Sequence, residues 1–297
     1  MKRDLLSIKD LSREDIYRII ERAMKIKAEG RTNSQRLKGY TLGLLFEKAS
    51  TRTRVSFEVA MFRSGGQTIY LNPADTQLSR DETLEDTARV LSRYLDVIAI
   101  RTYSQERLEV FSQNSSIPVI NALSDKYHPC QVLSDIMTVI EKKGNIEPLK
   151  IAWIGDGNNV ANSWINAART LGFRLILACP RGYEPEEIKD STANISITED
   201  VKEAAEGADV LNTDVWVSMG DEGEREERLK IFRQYRIDEE VLRVSKPDSI
   251  VMHCLPAHRG EEITDDVMDG KRSVVFDQAE NKLYLHQALL EMLILDR

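Results

Sequence analysis

Residues 40–54 read YTLGLLFEKASTRTR. The run LGLLF has no alternation of polar and apolar residues, the pattern of a strand covered on both faces of a parallel sheet. Directly after it, residues 50–54 hold one serine, two threonines and two arginines. Serine and threonine are favoured at helix N-caps, so a helix is expected from about residue 53 to residue 64, stopped by Gly65-Gly66. The start of a helix offers free N–H donors and the positive end of the helix dipole. Arg52 adds a planar, two-pronged donor. A strand that leaves through Ser50, Thr51, Arg52 and Thr53 is therefore expected to hold something multiply anionic. Arg54 falls on another side of the helix and is read as structural.

The same alternation continues on both sides of this stretch. SREDIYRIIERAMKIKAEG (12–30) is amphipathic, with Ser12 as N-cap and Gly30 as stop. QTIYL (67–71), DVIAI (96–100) and IPVINA (117–122) read as strands between the helical stretches 83–95, 104–113 and 131–143. After a break at GNIEPLK (144–150) the pattern restarts, with strands expected at KIAWIG, RLILAC, ADVLNT, SIVMHCL and SVVFD (273–277). It closes on the helical run AENKLYLHQALLEMLILDR (279–297). The expected fold class is α/β, with two doubly wound domains, parallel sheets and an interdomain cleft as active site. The domains are expected at 1–144 and 145–279, with the terminal helix of about 280–297 packing back on the first. The stretch 216–232 is long and charged, and its 217–227 portion is expected to close over a ligand, with Gly220 and Gly223 as hinges.

The bulk composition sets outer limits. At 297 residues, 41% hydrophobic and 30% charged, the chain can bury two ordinary cores. A formal net charge of −8 argues against a nucleic-acid partner. Three cysteines, Cys130, Cys179 and Cys254, are too few and odd in number for a disulfide framework. No apolar run reaches membrane-spanning length, and MKRDLLSIKDLS lacks the apolar centre of a signal peptide, so a cytoplasmic protein without a membrane partner is expected.

In doubly wound folds, ligands bind beyond the carboxyl ends of the strands. The residues that follow the expected strands are Ser50–Thr53, Arg101-Thr102-Tyr103, His128-Pro129-Cys130-Gln131, Asp156-Gly157-Asn158-Asn159, Thr213 to Gly220, and His253-Cys254-Leu255-Pro256. Three polar clusters fall in each half of the chain. The first three are cationic and suit a phosphate. The last three offer Asp214, two asparagines, a serine and a thiol, and suit a ligand bearing an ammonium group. His128 with Cys130 and His253 with Cys254 raise a zinc reading, but H-x-C and H-C are not metal-pair spacings. GDGNNV lacks the third glycine of a dinucleotide loop.

STRTR, HPCQ, DVWVSMG and HCLPAHRG together resemble the aspartate/ornithine carbamoyltransferase family, in the right order and over essentially the whole chain. SMG and HCLP are similar to the ornithine-specific branch. The resemblance implies a carbamoyl phosphate domain, then an ornithine domain, and a homotrimer. It matches Ser50, Thr51, Arg52 and Thr53 to phosphate binding, and Arg101, His128, Pro129, Cys130 and Gln131 to the carbonyl and amide of carbamoyl phosphate. Gln77 matches a residue that reaches the phosphate from a neighbouring subunit. Asn159, Asp214, Ser218 and Met219 match ornithine binding, and Cys254 and Leu255 match the reacting end. The family has arginine where this chain has Lys282, within AENKL, at a position that contacts carbamoyl phosphate. Lysine keeps the charge and loses the fork.

The implied reaction is attack by a neutral δ-amine on the carbamoyl carbon, with Arg101, His128, Asp214 and Cys254 as the catalytic set and no metal or organic cofactor. Asp214 is expected to orient the α-ammonium and Cys254 to position the δ-amine. A covalent carbamoyl-Cys254 intermediate is the rival route, and ping-pong kinetics would mark it. Putrescine, N-acetylornithine and aspartate are the rival acceptors. A nucleotide-binding oxidoreductase is the rival from outside the family.

Overall fold

The computed structural model describes residues 3–30, 34–72, 82–190, 192–217 and 222–296. The chain divides into two compact units, Met1–Met137 with Glu280–Arg297, and Thr138–Ala279.

The first unit opens with α1 (Arg13–Ala28), capped by Ser12 and buried along Ile16, Ile19, Ile20 and Ala23, the spacing of one helix face. Four strands follow, β1 (Thr41–Phe46), β2 (Gln67–Leu71), β3 (Val97–Arg101) and β4 (Val119–Leu123). They are linked by α2 (Thr51–Arg63), α3 (Leu84–Leu91) and α4 (Gln105–Asn114), and α5 (Pro129–Lys143) leaves β4. All strand pairs are parallel, in the order β2-β1-β3-β4. One face of the sheet packs Leu45, Ile98, Ile100 and Val119 against Leu108 and Phe111 of α4. The order reverses between β1 and β3. Connections leaving opposite ways open a crevice there, where this fold type binds ligands.

The second unit holds β5 (Lys150–Ile154), α6 (Asn159–Leu171), β6 (Arg174–Ala178), β7 (Ile195–Thr198), α7 (Val201–Ala205), β8 (Val210–Thr213), α8 (Arg225–Phe232), α9 (Glu239–Val244), β9 (Ile250–His253) and α10 (Asp265–Met268). Its sheet is also parallel, in the order β7-β6-β5-β8-β9, and its switch lies between β5 and β8. The core joins Ile154, Leu211 and Val251 to Trp216, Phe232 and Tyr235. α6 is buried nearly all round, from Val160 to Leu171, and ends at Gly172 in the left-handed conformation.

Several local expectations need revision. SVVFD is not a strand. Ser273 makes one bridge to Val251, and α11 (Val275–Leu295) then begins four residues earlier than AENKL suggests. Three β-branched or aromatic residues in a row favour a strand locally, but Phe276 is exposed and the helix-forming run behind it, with Asp277 in the first turn, carries the segment into the helix. α2 starts at Thr51 rather than Thr53. β7 was not expected at all. It is a four-residue edge strand with two exposed side chains, too short and polar to stand out.

α5 and α11 each run across a unit boundary. Within the first unit, the later part of α11 is tied to α1 by Arg22 Nε to Glu291 Oε2 at 2.7 Å and Lys27 Nζ to Asn281 Oδ1 at 2.7 Å.

Candidate active site

In the first unit, the clusters follow β1, β3 and β4, which are neighbours in the sheet. Ser50 is the N-cap of α2 and its hydroxyl accepts from Thr53 N at 3.2 Å. Thr51 and Arg52 are exposed in the first turn, Thr53 is buried, and no acidic residue occupies that turn to neutralise the dipole. Arg54 turns away to Glu58 at 2.8 Å and stacks over Tyr70, the structural role expected of it.

Arg101 ends β3 and is 5% exposed. His128 precedes α5 and is buried. That burial, reinforced by the positive charges of Lys282 and Arg101, holds its pKa well below the ordinary imidazole value, so the ring is neutral. Pro129 takes the first position of α5, where a missing N–H costs nothing. The Cys130 thiol donates to Asn121 O at 3.4 Å, and burial pushes its pKa up to about 12, so it is an inert thiol. Gln131 Oε1 accepts from Lys282 Nζ at 2.9 Å, and its Nε2 donates to Asp135 Oδ1 at 2.8 Å. The chain thus brings Arg101, His128, Gln131 and Lys282 into one buried cluster.

Two pairs beside this cluster escaped the sequence reading. Lys48 is buried in an ion pair with Asp125 and lies 4.2 Å over the Tyr103 ring. Glu47 accepts from Thr102 Oγ1 and from Arg107 Nη2 at 3.0 Å. Together they clamp the segments that follow β1, β3 and β4. Their only sequence signal is a charged pair directly after a buried strand, which a solvated turn shows as well.

In the second unit, the clusters follow β5, β8 and β9, again neighbours in the sheet. Asp214 is buried beyond β8. Its carboxyl group accepts from Cys254 Sγ at 2.8 Å, Val215 N at 2.8 Å and Asn158 Nδ2 at 2.8 Å. Asn158 is also the N-cap of α6, its Oδ1 accepting from Val160 N and Ala161 N. Asn158, beside the Asn159 matched to ornithine binding, thus joins the helix cap to Asp214.

Cys254 is partly exposed. The segment around it is held by His253, which is buried together with Glu262. His253 Nδ1 accepts from Leu255 N at 2.9 Å, so the proton is on Nε2, which donates to Glu262 Oε1 at 2.9 Å. His253 N in turn donates to Gln278 Oε1 at 2.9 Å. Leu255 has a φ of 62° and precedes a cis peptide bond to Pro256. One ligand-type atom from each of Asp214, His253 and Cys254 lies within 4.8 Å of the others. Both His253 nitrogens are engaged, so the trio does not fit a three-ligand metal site.

Arg228 of α8 was also missed. It is buried, donates to Trp216 O at 2.6 Å, pairs with Asp156 at 2.7 Å and lies 4.9 Å over Tyr183. It ties α8 to the segments that follow β5 and β8. Gln77, Ser218 and Met219 lie outside the described residues, as does part of the 217–227 segment.

The GDG of residues 155–157 has a packing reason in place of a nucleotide. A Cβ on Gly157 would lie 2.3 Å from Pro185 N and 2.4 Å from Tyr183 O. Both are backbone atoms and cannot swing aside. Gly157→Ala is expected to lower stability by about 3 kcal/mol or more, beyond the usual range for overpacking a side chain, as read from a urea or thermal melt. A melt within about 1 kcal/mol of the parent would show that the 183–185 segment can yield.

Comparison with known proteins agrees with this architecture. Residues 3–141 match the family model described as the carbamoyl-P binding domain of aspartate/ornithine carbamoyltransferases, and residues 147–293 match its Asp/Orn binding domain. The ornithine carbamoyltransferase of Syntrophus aciditrophicus is 54% identical, covering 99% of this chain and 100% of its own length. That of Methanosarcina mazei is 54% identical over 98% of both chains. Among solved structures, ornithine carbamoyltransferase from Pyrococcus furiosus superposes with a TM-score of 0.94 at 49% identity, covering 99% of this chain and 97% of that one. The Thermus thermophilus enzyme gives 0.92 at 40% identity over 99% of both. With both domain models matched end to end, the chain belongs to the aspartate/ornithine carbamoyltransferase family.

Proposed function

We propose that this chain transfers the carbamoyl group of carbamoyl phosphate to the δ-amine of L-ornithine, giving L-citrulline and phosphate. The observation that carries the acceptor is Asp214: a buried carboxyl group, hydrogen-bonded to the Cys254 thiol, at the carboxyl ends of β8 and β9. It suits an ammonium-bearing acceptor and repels an acidic one. The whole-length relatives named ornithine carbamoyltransferase support the same choice.

In this reading the α2 N-terminus, with Ser50, Thr51, Arg52 and Thr53, takes the phosphate dianion and stabilises it as it leaves. Arg101 and the neutral His128 hold the carbonyl oxygen, and Gln131 the carbamoyl amide. Cys130 contributes packing rather than chemistry. Asp214 orients the α-ammonium, with Asn159, Ser218 and Met219 on the rest of ornithine. Cys254 and Leu255 line the reacting end. At a lysine-like pKa near 10.4, only about one ornithine in a few thousand carries a neutral δ-amine at pH 7. A site that strips water from the amine lowers that pKa. The neutral amine then attacks the carbamoyl carbon, a tetrahedral oxyanion forms facing Arg101, the C–O bond to phosphate breaks, and the amine's proton passes to the departing phosphate. Carbamoyl phosphate is already activated, so the route uses no cofactor. The same reading includes a cytoplasmic homotrimer in which Gln77 reaches the phosphate of a neighbouring copy; Val55 and Phe62, exposed one above the other on α2, suit such a contact.

The test is phosphate release with ornithine, putrescine, N-acetylornithine and aspartate as acceptors. Turnover with ornithine alone, with sequential kinetics, is expected. Turnover with another acceptor overturns the role of Asp214, and ping-pong kinetics overturn direct attack.

A further inference from the structure

Lys282 is 5% exposed and sits on α11. Its Nζ donates to Gln131 Oε1 at 2.9 Å, and Gln131 Nε2 donates to Asp135 Oδ1 at 2.8 Å. An ammonium group only donates and a carboxylate oxygen only accepts, so the orientation of the Gln131 amide is fixed from both ends. After these two bonds Gln131 retains one acceptor lone pair on Oε1 and one N–H on Nε2. That is the complement of another primary amide, which is what the carbamoyl group presents. The positive charge at Oε1 also polarises the amide and strengthens the remaining N–H as a donor.

We infer that Lys282 is a positioning residue for the carbamoyl end of the substrate, acting through Gln131, and is not a ligand of the phosphate. The inference rests on the carbamoyl phosphate reading above. The ammonium has three N–H donors, and one of them is given to Gln131 at 2.9 Å. Its charge also bears on His128 and Cys130, at the α5 end of the site, which agrees with a place beside the carbamoyl group. The phosphate has its own donors at the start of α2.

Two probes separate the two roles: inorganic phosphate, which lacks an amide, and phosphonoacetamide, which carries both groups and does not hydrolyse. Both are titrated by calorimetry into the parent enzyme and into Lys282→Met. Loss of a charged hydrogen bond to the carbamoyl-holding amide is expected to weaken phosphonoacetamide about tenfold to a hundredfold. Phosphate affinity is expected to stay within about twofold, since its donors are untouched. Gln131→Leu is expected to give the same split, and the double variant to be no worse than either single one. Parallel loss of both probes, no loss of either, or additive effects in the double variant would each overturn the inference. If Lys282→Met does not fold, Lys282→Gln, which keeps an N–H donor without the charge, carries the same comparison. A parent enzyme that binds neither probe refutes the carbamoyl phosphate reading itself, a result distinct from failure of the Lys282 role.

Discussion

Arg101→Met is expected to cut kcat/KM for carbamoyl phosphate by about two to three orders of magnitude, the scale of removing one preorganised oxyanion donor. Arg101 is the buried cation at the end of β3, beside a histidine that burial keeps neutral. A neutral imidazole can donate a hydrogen bond to the carbonyl oxygen, but it brings no charge to meet the charge that develops there. In the proposed mechanism Arg101 therefore carries the electrostatic part of the stabilisation. That part grows as the carbon becomes tetrahedral, so kcat falls more than KM rises. The fold is expected to tolerate the change, because Arg101 is held in the sheet by backbone pairing with Phe46 and Leu123, and its carbonyl accepts from Glu47 N at 2.8 Å. Methionine keeps the bulk without the guanidinium. Arg101→Lys is expected to recover only part of the loss, because the planar fork is gone. Steady-state kinetics with both substrates, with a melting curve as control for folding, check this. A loss below about tenfold would place Arg101 away from the developing oxyanion.

Much of the fold was legible because parallel strands buried on both faces leave a strong mark. TLGLLF, DVIAI, KIAWI and SIVMH stand out as apolar runs between amphipathic stretches, and all four are strands. What misled was local preference overruled by context. Val274-Val275-Phe276 looks extended, yet only one bridge to β9 forms before α11 takes over. β7 pairs with β6 along one edge only and never needed a full apolar pattern.

The cluster in the first unit was legible because its chemistry is concentrated: Ser50 to Thr53 form an N-cap and first turn together, and His128 to Gln131 open α5. The supporting pairs were not. Lys48 with Asp125, Arg228 with Asp156 and His253 with Glu262 join residues 77, 72 and 9 positions apart. Lys48, Asp125, Arg228 and Glu262 each look like an ordinary surface charge until the partner is known. Asn158 stood in the cluster after β5, but its part in holding Asp214 did not show. Its amide serves the helix cap with oxygen and Asp214 with nitrogen at once, and a sequence does not reveal a double role.

Acidification should weaken the fold steeply below pH 6.5, because two buried histidines resist protonation in the native state. His128 is held low chiefly by burial, then by the charges of Lys282, Arg101 and His286. His286 is held low by burial and by Lys282. Its ring lies flat on Phe57, with centroids 3.6 Å apart, and Nδ1 is 3.0 Å from Ser56 Oγ. In the unfolded chain both rings return to a pKa of about 6.5. Between that value and the lowered native ones, the unfolded state binds up to two more protons, so stability falls as pH falls. Each histidine contributes a slope of about 1.4 kcal/mol per pH unit, and the pair about 2.7. Above pH 6.5 both states are neutral at these rings and the contribution is flat. Carboxyl groups do not mimic this. Asp15, Asp248, Asp266 and Asp269 are lowered from 3.8 and lose their stabilisation further down, while Asp10 is raised by burial and changes stability in the opposite direction. Urea unfolding at pH 7.5, 6.0 and 5.0 measures the slope. His286→Phe keeps the stack on Phe57 and is expected to halve it. A slope that is flat down to pH 5 would mean that both rings accept protons in the folded protein, and His128 would then bring a charge, rather than a neutral donor, to the carbonyl oxygen.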